Sequence, residues 1–337
     1  MTSVQSEVSE TSARWTIAVF SARETAHVLL ACVRAVLVAC AGRSAVIDIL
    51  VNGNKKLAEE LARGGLAKLD APPDCHLRLW YLEMADKSNA WNEYIERIWP
   101  GSATAYFVDG YVRVQQDALG LMHQALTRSE FALAASGVPT MGRSSRRLQR
   151  EMVGEGGIHG NLYALRGSAV ERLRSSGFRL PLGLYRTDPL LGAVLAFNLD
   201  PASNDWNLSR ICVVPNASWE YDGLDWWRPS HLRTHLKRMI RQGQGSLENA
   251  AIRRYLATER KRPEGIPRTV RELVLPWMNA FPGEARAVFM RRPLSYFAAR
   301  RLRVESAALR GQARARLVQE LATRRKTVPR AESGRGA

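Results

Sequence analysis

Apolar and polar positions along the chain separate into short continuous apolar runs and longer stretches of mixed character. The first run is residues 15–20 (WTIAVF), closed by Ser21-Ala22-Arg23-Glu24-Thr25, and the second is residues 45–51 (AVIDILV), with a helix-compatible stretch between them. That order predicts a strand, helix, strand unit. The second run stops at the turn signal Asn52-Gly53-Asn54, and further strand candidates follow at 77–84 (LRLWYLEM) and 104–114 (TAYFVDGYVRV). Strands alternating with helical stretches predict an α/β fold: a mostly parallel central sheet with helices on both faces, Rossmann-like, binding ligands at the carboxyl ends of its strands. Past Pro229 the pattern changes to long Arg-rich helical segments punctuated by Pro263, Pro267, Pro276, Pro282 and Pro293, which predicts a mainly helical C-terminal region.

The expected organisation is a polar, disordered tail over 1–13, a ligand-binding and catalytic domain over 14–228, a basic helical region over 229–322 and a second disordered tail over 323–337. With 337 residues, 46% apolar and 24% charged, the chain has ordinary globular composition and can bury a real core. The richest apolar window, His27 to Cys40, is broken by Arg34 and falls short of the ~18–20 residues of a membrane span. The start has neither the basic nor the apolar stretch of a secretory signal, so the expected compartment is the cytoplasm. Cys32, Cys40, Cys75 and Cys212 form no C-x-x-C pair and sit mostly in apolar runs, as reduced core thiols do.

The net charge of +17 is confined to one part of the chain. Residues 228–337 carry 26 basic against 8 acidic side chains, whereas residues 1–227 carry 23 against 24. A neutral body with a basic annex argues against a nucleic-acid-binding fold, and no helix-turn-helix, zinc-finger or RNA-binding aromatic motif supports one. A helical projection of residues 294–314 gathers Arg300, Arg303, Arg310 and Arg314 on one side and Leu294, Phe297, Val304 and Ala308 on another. Such a face suits an anionic membrane surface, a polyanionic glycan or a partner protein.

The polar residues at the predicted strand ends are Ser21, Arg23 and Glu24; Asn52 and Gly53; Asp86, Lys87, Asn89 and Asn92; and Asp109. They combine hydrogen-bonding groups for a base and ribose, a lysine for phosphate charge, and a carboxylate able to hold a divalent cation, which is the chemistry of a nucleotide pocket. Neither a P-loop nor a dinucleotide fingerprint occurs.

Six segments, in order, then resemble a known family: TIAVFSARET, VNGN at 51–54, Lys87-Ser88-Asn89-Ala90-Trp91-Asn92, Phe107-Val108-Asp109-Gly110-Tyr111, Gly160-Asn161-Leu162-Tyr163-Ala164-Leu165-Arg166, and Leu184-Tyr185-Arg186-Thr187-Asp188-Pro189-Leu190-Leu191-Gly192. The chain resembles the inverting, family-two-like glycosyltransferases with the GT-A nucleotide-sugar fold, over roughly residues 15–245. The resemblance implies direct displacement: an acceptor hydroxyl attacks the anomeric carbon of a nucleotide-diphosphate-sugar, UDP-linked by family prevalence, as in bacterial cell-surface polysaccharide synthesis. It implies Asp188 as the catalytic base and Asp109 as ligand to Mg²⁺ or Mn²⁺. The implied donor-binding residues are Ser21, Arg23, Glu24, Asn52, Lys87, Asn92 and Asp109, with Arg238 and Arg241 of Arg238-Met239-Ile240-Arg241-Gln242-Gly243 as further phosphate ligands. Tyr111 stands where the family has the second Asp of its metal motif, and Thr187 where it has a Glu before the base. The acceptor would be a glycan, lipid-linked or protein hydroxyl, and a basic annex would place the enzyme at the inner membrane face.

Structural readings compete at each position. Asp109-Gly110 is also a turn pair, and Asp188-Pro189 is also a helix cap followed by a proline. Lys87 and Asn92 are equally read as solvated. His231 and His235 share the i, i+4 spacing of zinc ligands without an accompanying carboxylate or thiol. His159 belongs to the acceptor side of the cleft, and Trp219, Trp226 and Trp227 either stack on a sugar or seal the border near 228. The competing function is a catalytically decayed protein that binds a membrane surface or polyanion through its basic annex.

Overall fold

The computed structural model describes residues 14–140, 145–221, 229–304 and 313–322, with backbone alone over 229–238. Four strands run parallel at the centre: β1 (Trp15–Ser21), β2 (Ala45–Asn52), β3 (Cys75–Leu82) and β4 (Thr104–Asp109). They are linked through α1 (Ala26–Ala39), α2 (Lys55–Glu60) and α3 (Lys87–Glu93). The chain continues through β5 (Arg113–Val114), α4 (Ala118–Arg128), β6 (Ala134–Pro139), α5 (Ser145–Glu155), β7 (Leu162–Arg166), α6 (Gly167–Ser175), α7 (Asp188–Ala196) and β8 (Ile211–Glu220). Last come α8 (Pro229–Arg253), α9 (Val270–Ala280), α10 (Pro282–Arg291), α11 (Ser295–Val304) and β9 (Arg316–Ala322). The described strands form one nine-stranded sheet in the order β5-β8-β6-β7-β4-β1-β2-β3-β9. The α/β class expected from the apolar runs is the observed one.

The first strands are apolar on both faces because the sheet is covered on both. Alternate residues of β1 enter separate cores. Ile17 and Val19 pack with Leu29 and Val33 of α1, while Ala18 and Phe20 pack with Trp91 of α3. Phe107 of β4 stacks on Tyr163 of β7 with centroids 4.7 Å apart, and the Trp91 indole donates to the Tyr163 hydroxyl at 3.0 Å. Each fully buried side chain of this size contributes about 1.5–3 kcal/mol, so these two layers account for the rigidity of the strand edge above them. One charge interrupts the run AVIDILV. Asp48 is buried and accepts from Arg78 Nε at 2.7 Å, from Arg78 Nη2 at 2.8 Å and from Trp80 Nε1 at 2.7 Å, all on neighbouring β3.

The apolar run at 104–114 divides into two strands. Asp109-Gly110 turns the chain, Gly110 N bonds Phe20 O at 2.7 Å, and β5 crosses to pair antiparallel with β8 at the far edge. A continuous apolar stretch carries no mark of such a change of partner. The basic C-terminal region is mainly helical, yet its last described element is a strand, β9, which pairs antiparallel with β3 at the sheet edge. Its sequence, RLVQELA, places Arg316 and Glu320 on an edge strand, where charge discourages pairing with other chains. The border expected near 228 lies outside the described residues, as do Trp226 and Trp227 and both tails. On its far side Leu247, Ile252, Val274, Trp277 and Leu302 share one apolar cluster with Trp91, Phe178 and Leu190 of the body. Among the described residues no helix is long and apolar enough to cross a membrane, and the four cysteines are free thiols, three of them buried.

Candidate active site

Parallel register brings the predicted polar residues to one edge. Phe20 lies opposite Asp109, Ser21 opposite Val51 and Asn52 opposite Leu82, so the loops after the four central strands leave the sheet side by side. After β1, Glu24 folds back over its own turn: its Oε2 accepts from Ser21 Oγ at 2.7 Å, Ala22 N at 2.7 Å and Arg23 N at 3.0 Å. Ser21 and Glu24 therefore hold each other, and Arg23 is exposed at the rim. After β2, Asn52 is buried at 2% exposure and its Oδ1 has no hydrogen-bond partner. A buried acceptor without a donor costs about 1–3 kcal/mol. Gly53 follows at φ +67°, and a Cβ there would stand 2.4 Å from that of Ala85, so the turn admits only glycine.

Asp109 ends β4 and forms an ion pair with Lys87 at the start of α3, the two side chains 15% and 29% exposed. Lys87 Nζ also donates to Gly160 O at 3.1 Å. The Tyr111 hydroxyl lies 2.9 Å from Asn161 Oδ1 and 3.3 Å from Asp109 Oδ2, and its one proton goes to one of them at a time. Burial raises the proton affinity of Asp109, and Lys87 opposes it.

Asp188 sits in the first turn of α7, buried, with Thr187 rather than Asp188 itself at the capping position. Arg186 grips it with Nη2 at 2.5 Å from Oδ2 and Nε at 3.4 Å from Oδ1. Gly160 touches both groups: its carbonyl accepts from Lys87 at 3.1 Å, and a Cβ added to it would lie 3.1 Å from Asp188 Oδ1. His159, beside it, accepts from Asn161 N at Nδ1 over 3.3 Å and packs against Trp219 with ring centroids 5.0 Å apart. Burial pushes His159 down to about 4, against the pull of nearby Asp188, so its imidazole is neutral at physiological pH.

The loop that carries Asp188 is held from two directions. Asp86, which caps α3, also accepts from Gly183 N at 2.6 Å. From α8, Gln244 Nε2 donates to Gly183 O at 3.0 Å, and buried Glu248 accepts from Tyr185 N at 3.0 and 3.1 Å and from Gln244 at 2.8 Å. Burial pushes the Glu248 carboxyl up to about 7, against the donors around it.

The structure thus joins Ser21, Glu24, Asn52, Lys87, Asp109 and Asp188 along one edge. Arg241 stands over the Tyr185 ring at 5.2 Å, and the charges of Arg23 and Arg301 reach it. Asn92 is turned inward instead: its Nδ2 donates to Leu180 O at 3.0 Å and its Oδ1 accepts from Leu180 N at 2.8 Å, so its amide braces the chain before Asp188. The side chains of Arg238, His231 and His235 lie outside the described residues. Reading the sequence missed Arg186, Asn161, Gln244 and Glu248. Glu248 alone left a trace, as the single carboxylate between 229 and 253.

The donor set around Asp109 does not fit the expected Mg²⁺ or Mn²⁺. Among the described residues no group of three His, Cys, Asp or Glu side chains comes together to hold a metal. Asp109 already carries Lys87 on Oδ1 and has the Tyr111 hydroxyl 3.3 Å from Oδ2, and nearby Glu24 is engaged by its own turn.

No protein-family model matches the sequence, and no curated protein does. Solved structures do match. One is a mannosyltransferase from Pyrobaculum calidifontis in complex with GDP-Man and Mn²⁺, with a TM-score of 0.55 and 16% identity over 88% of this chain and 76% of that one. The chain has the GT-A fold. Two others are similar with lower scores. Glucosyl-3-phosphoglycerate synthase from Mycobacterium tuberculosis, in complex with phosphoglyceric acid, has a TM-score of 0.46 and 14% identity over 74% of this chain and 82% of that one. S. aureus TarS in complex with UDP-GlcNAc has a TM-score of 0.43 and 11% identity over 85% and 92%. At these identities the likeness to the mannosyltransferase fixes the GT-A architecture, and the chemistry rests on the residues of the edge itself.

Proposed function

We propose that this protein is an inverting glycosyltransferase that moves a sugar from a nucleotide-diphosphate-sugar, UDP-linked, to an acceptor hydroxyl. The observation that carries this reading is that Gly160, on a GT-A fold, is touched by Lys87 of the Asp109–Lys87 pair and lies against Asp188. Lys87 offers a charge for a diphosphate and Asp188 a carboxylate for a hydroxyl proton.

In this reading the acceptor oxygen attacks the anomeric carbon from the face opposite the diphosphate. The hydroxyl proton passes to the Asp188 carboxylate, the bond from carbon to the diphosphate oxygen breaks, and its electron pair leaves with the diphosphate. Proton removal by a positioned carboxylate contributes about 10² to 10⁴ in rate. Arg186 aims that carboxylate. Neutral His159, with its proton on Nε2, supplies a donor beside it without competing for the hydroxyl proton. Stabilising the charge on the departing diphosphate is the larger electrostatic task. It falls to Lys87, with Arg23 and Arg241 at the rim.

The test is incubation with UDP-sugars and acceptor alcohols, following release of UDP and the configuration of the product by NMR. An inverted product that disappears in Asp188→Asn supports the reading; a retained configuration, or undiminished turnover in that variant, refutes it.

We also propose that the annex touches an anionic membrane surface beside a lipid-linked acceptor, on the cytoplasmic side. Met290, Tyr296, Phe297 and Val304 are 78%, 60%, 55% and 76% exposed and stand among Arg291, Arg292, Arg300 and Arg303. Apolar side chains ringed by arginines are the composition that anionic headgroups attract. Co-sedimentation with anionic but not with zwitterionic vesicles is the expected result. Failure to sediment with either removes this part of the reading.

A further inference from the structure

We propose that this protein holds the diphosphate of its donor without a divalent cation, with the Lys87 ammonium in the place the cation would take. This rests on the nucleotide-sugar reading of the same edge. A divalent cation in such a site is held by one or two carboxylates together with the diphosphate oxygens and waters. Here the carboxylates are Asp109 and, near enough for its charge to act on Asp109, Glu24, whose Oε2 is already taken by Ser21 Oγ, Ala22 N and Arg23 N. Asp109 Oδ1 is engaged by Lys87, and its Oδ2 lies 3.3 Å from the Tyr111 hydroxyl. The position two residues on, where a second carboxylate would complete the set, is that same tyrosine, whose hydroxyl also lies 2.9 Å from the Asn161 amide oxygen. The single phenolic proton is thus shared between Asp109 Oδ2 and Asn161 Oδ1, the neighbouring neutral oxygen. A metal entering between Asp109 and a diphosphate would stand beside the lysine's positive charge or have to displace it.

Lys87 is suited to the task by geometry. It begins α3, and Asp86 before it is fixed by Ser88 N at 2.7 Å and Gly183 N at 2.6 Å, so the lysine backbone is pinned on both sides. An ammonium has three N–H donors. Asp109 and Gly160 take two of them, which leaves one for a phosphate oxygen, and the side chain is 29% exposed at the edge where the diphosphate would lie. The Asp109 charge then serves to hold the ammonium in position rather than to ligate a metal.

The experiment is calorimetric titration of the full chain with UDP and with GDP, each in EDTA and in Mn²⁺. The expected result is an affinity for one of them that differs less than about threefold between the two conditions, well under the tenfold that 1.4 kcal/mol represents. Binding that requires Mn²⁺, or tightens tenfold or more with it, overturns the cation-free site and leaves the nucleotide reading standing. Binding of neither nucleotide in either condition overturns both. Lys87→Met, checked for folding by its thermal melt, is expected to lose tenfold or more in EDTA, and wild-type affinity in that variant also overturns the proposal. The double variant Lys87→Met, Tyr111→Asp supplies the missing carboxylate and is expected to gain binding that depends on Mn²⁺.

Discussion

The parallel strand edge and the loop over 182–188 both present functional side chains, but they are built in different ways. Along the edge, Ser21, Asn52 and Asp109 are the last residues of strands whose register and two apolar layers place their backbones. The loop relies more on contacts from distant segments: Leu182 pairs its backbone with Arg268 and Val270, Leu184 enters the core, Asp86, Gln244 and Glu248 hold Gly183 and Tyr185, and Asp188 is aimed by Arg186. Damage to the strands beneath the edge should therefore appear as lost stability, and damage to the loop as lost turnover in a folded protein.

The sharpest test of the loop is Asp188→Asn, expected to lower turnover by about 10²–10⁴ while calorimetry shows nucleotide affinity intact. On the other side of the comparison, Asp48→Ala leaves the Arg78 guanidinium without its carboxylate beneath the edge. It is expected to cost about 3–5 kcal/mol in denaturant unfolding, with any folded fraction still turning over. Glu248→Ala removes the acceptor for Tyr185 N. A shift of about 1 Å in the loop is expected to cost roughly 10² in kcat. KM for the nucleotide-sugar should stay unchanged, and Glu248→Asp should recover part of the rate. If KM rises instead, the clamp serves the donor and the division between the regions fails.

The smallest effect concerns pH. Burial holds His159 near 4 in the folded protein, against about 6.5 when unfolded. Between these values the unfolded chain binds the extra proton and the folded one does not. The folded protein is therefore relatively favoured above about 6.5 and loses stability as pH falls toward 4, by at most roughly 3 kcal/mol. His159→Gln should flatten that part of the stability profile, measured by chemical denaturation across it.

Much of the edge was legible from local sequence. Apolar runs that end in Ser21, Asn52-Gly53 and Asp109 announce strands and the loops that follow them, because burial on both faces demands continuous apolar residues. Asn92 shows where that reading stops. Its place one turn into a helix beside the site suggested a ligand, yet its amide is spent on Leu180, 88 residues away. β9 shows the same limit, since an edge strand amid arginines needs only one partner strand and displays no strong apolar signal. Lys87 was visible as a cation, but not its union with Asp109, 22 residues on.

By itself the sequence determined the α/β class, the common edge for the strand-end residues and the concentration of charge in the annex, because each follows from the order and polarity of neighbouring residues. Tertiary structure alone decided that Asp86 would meet Gly183 across 97 positions and Glu248 would meet Tyr185 across 63. It also decided that Gly160 would meet both Lys87 and Asp188. Those contacts form only once the layers have packed, since a polar group finds its partner in space after burial has removed the alternative of water.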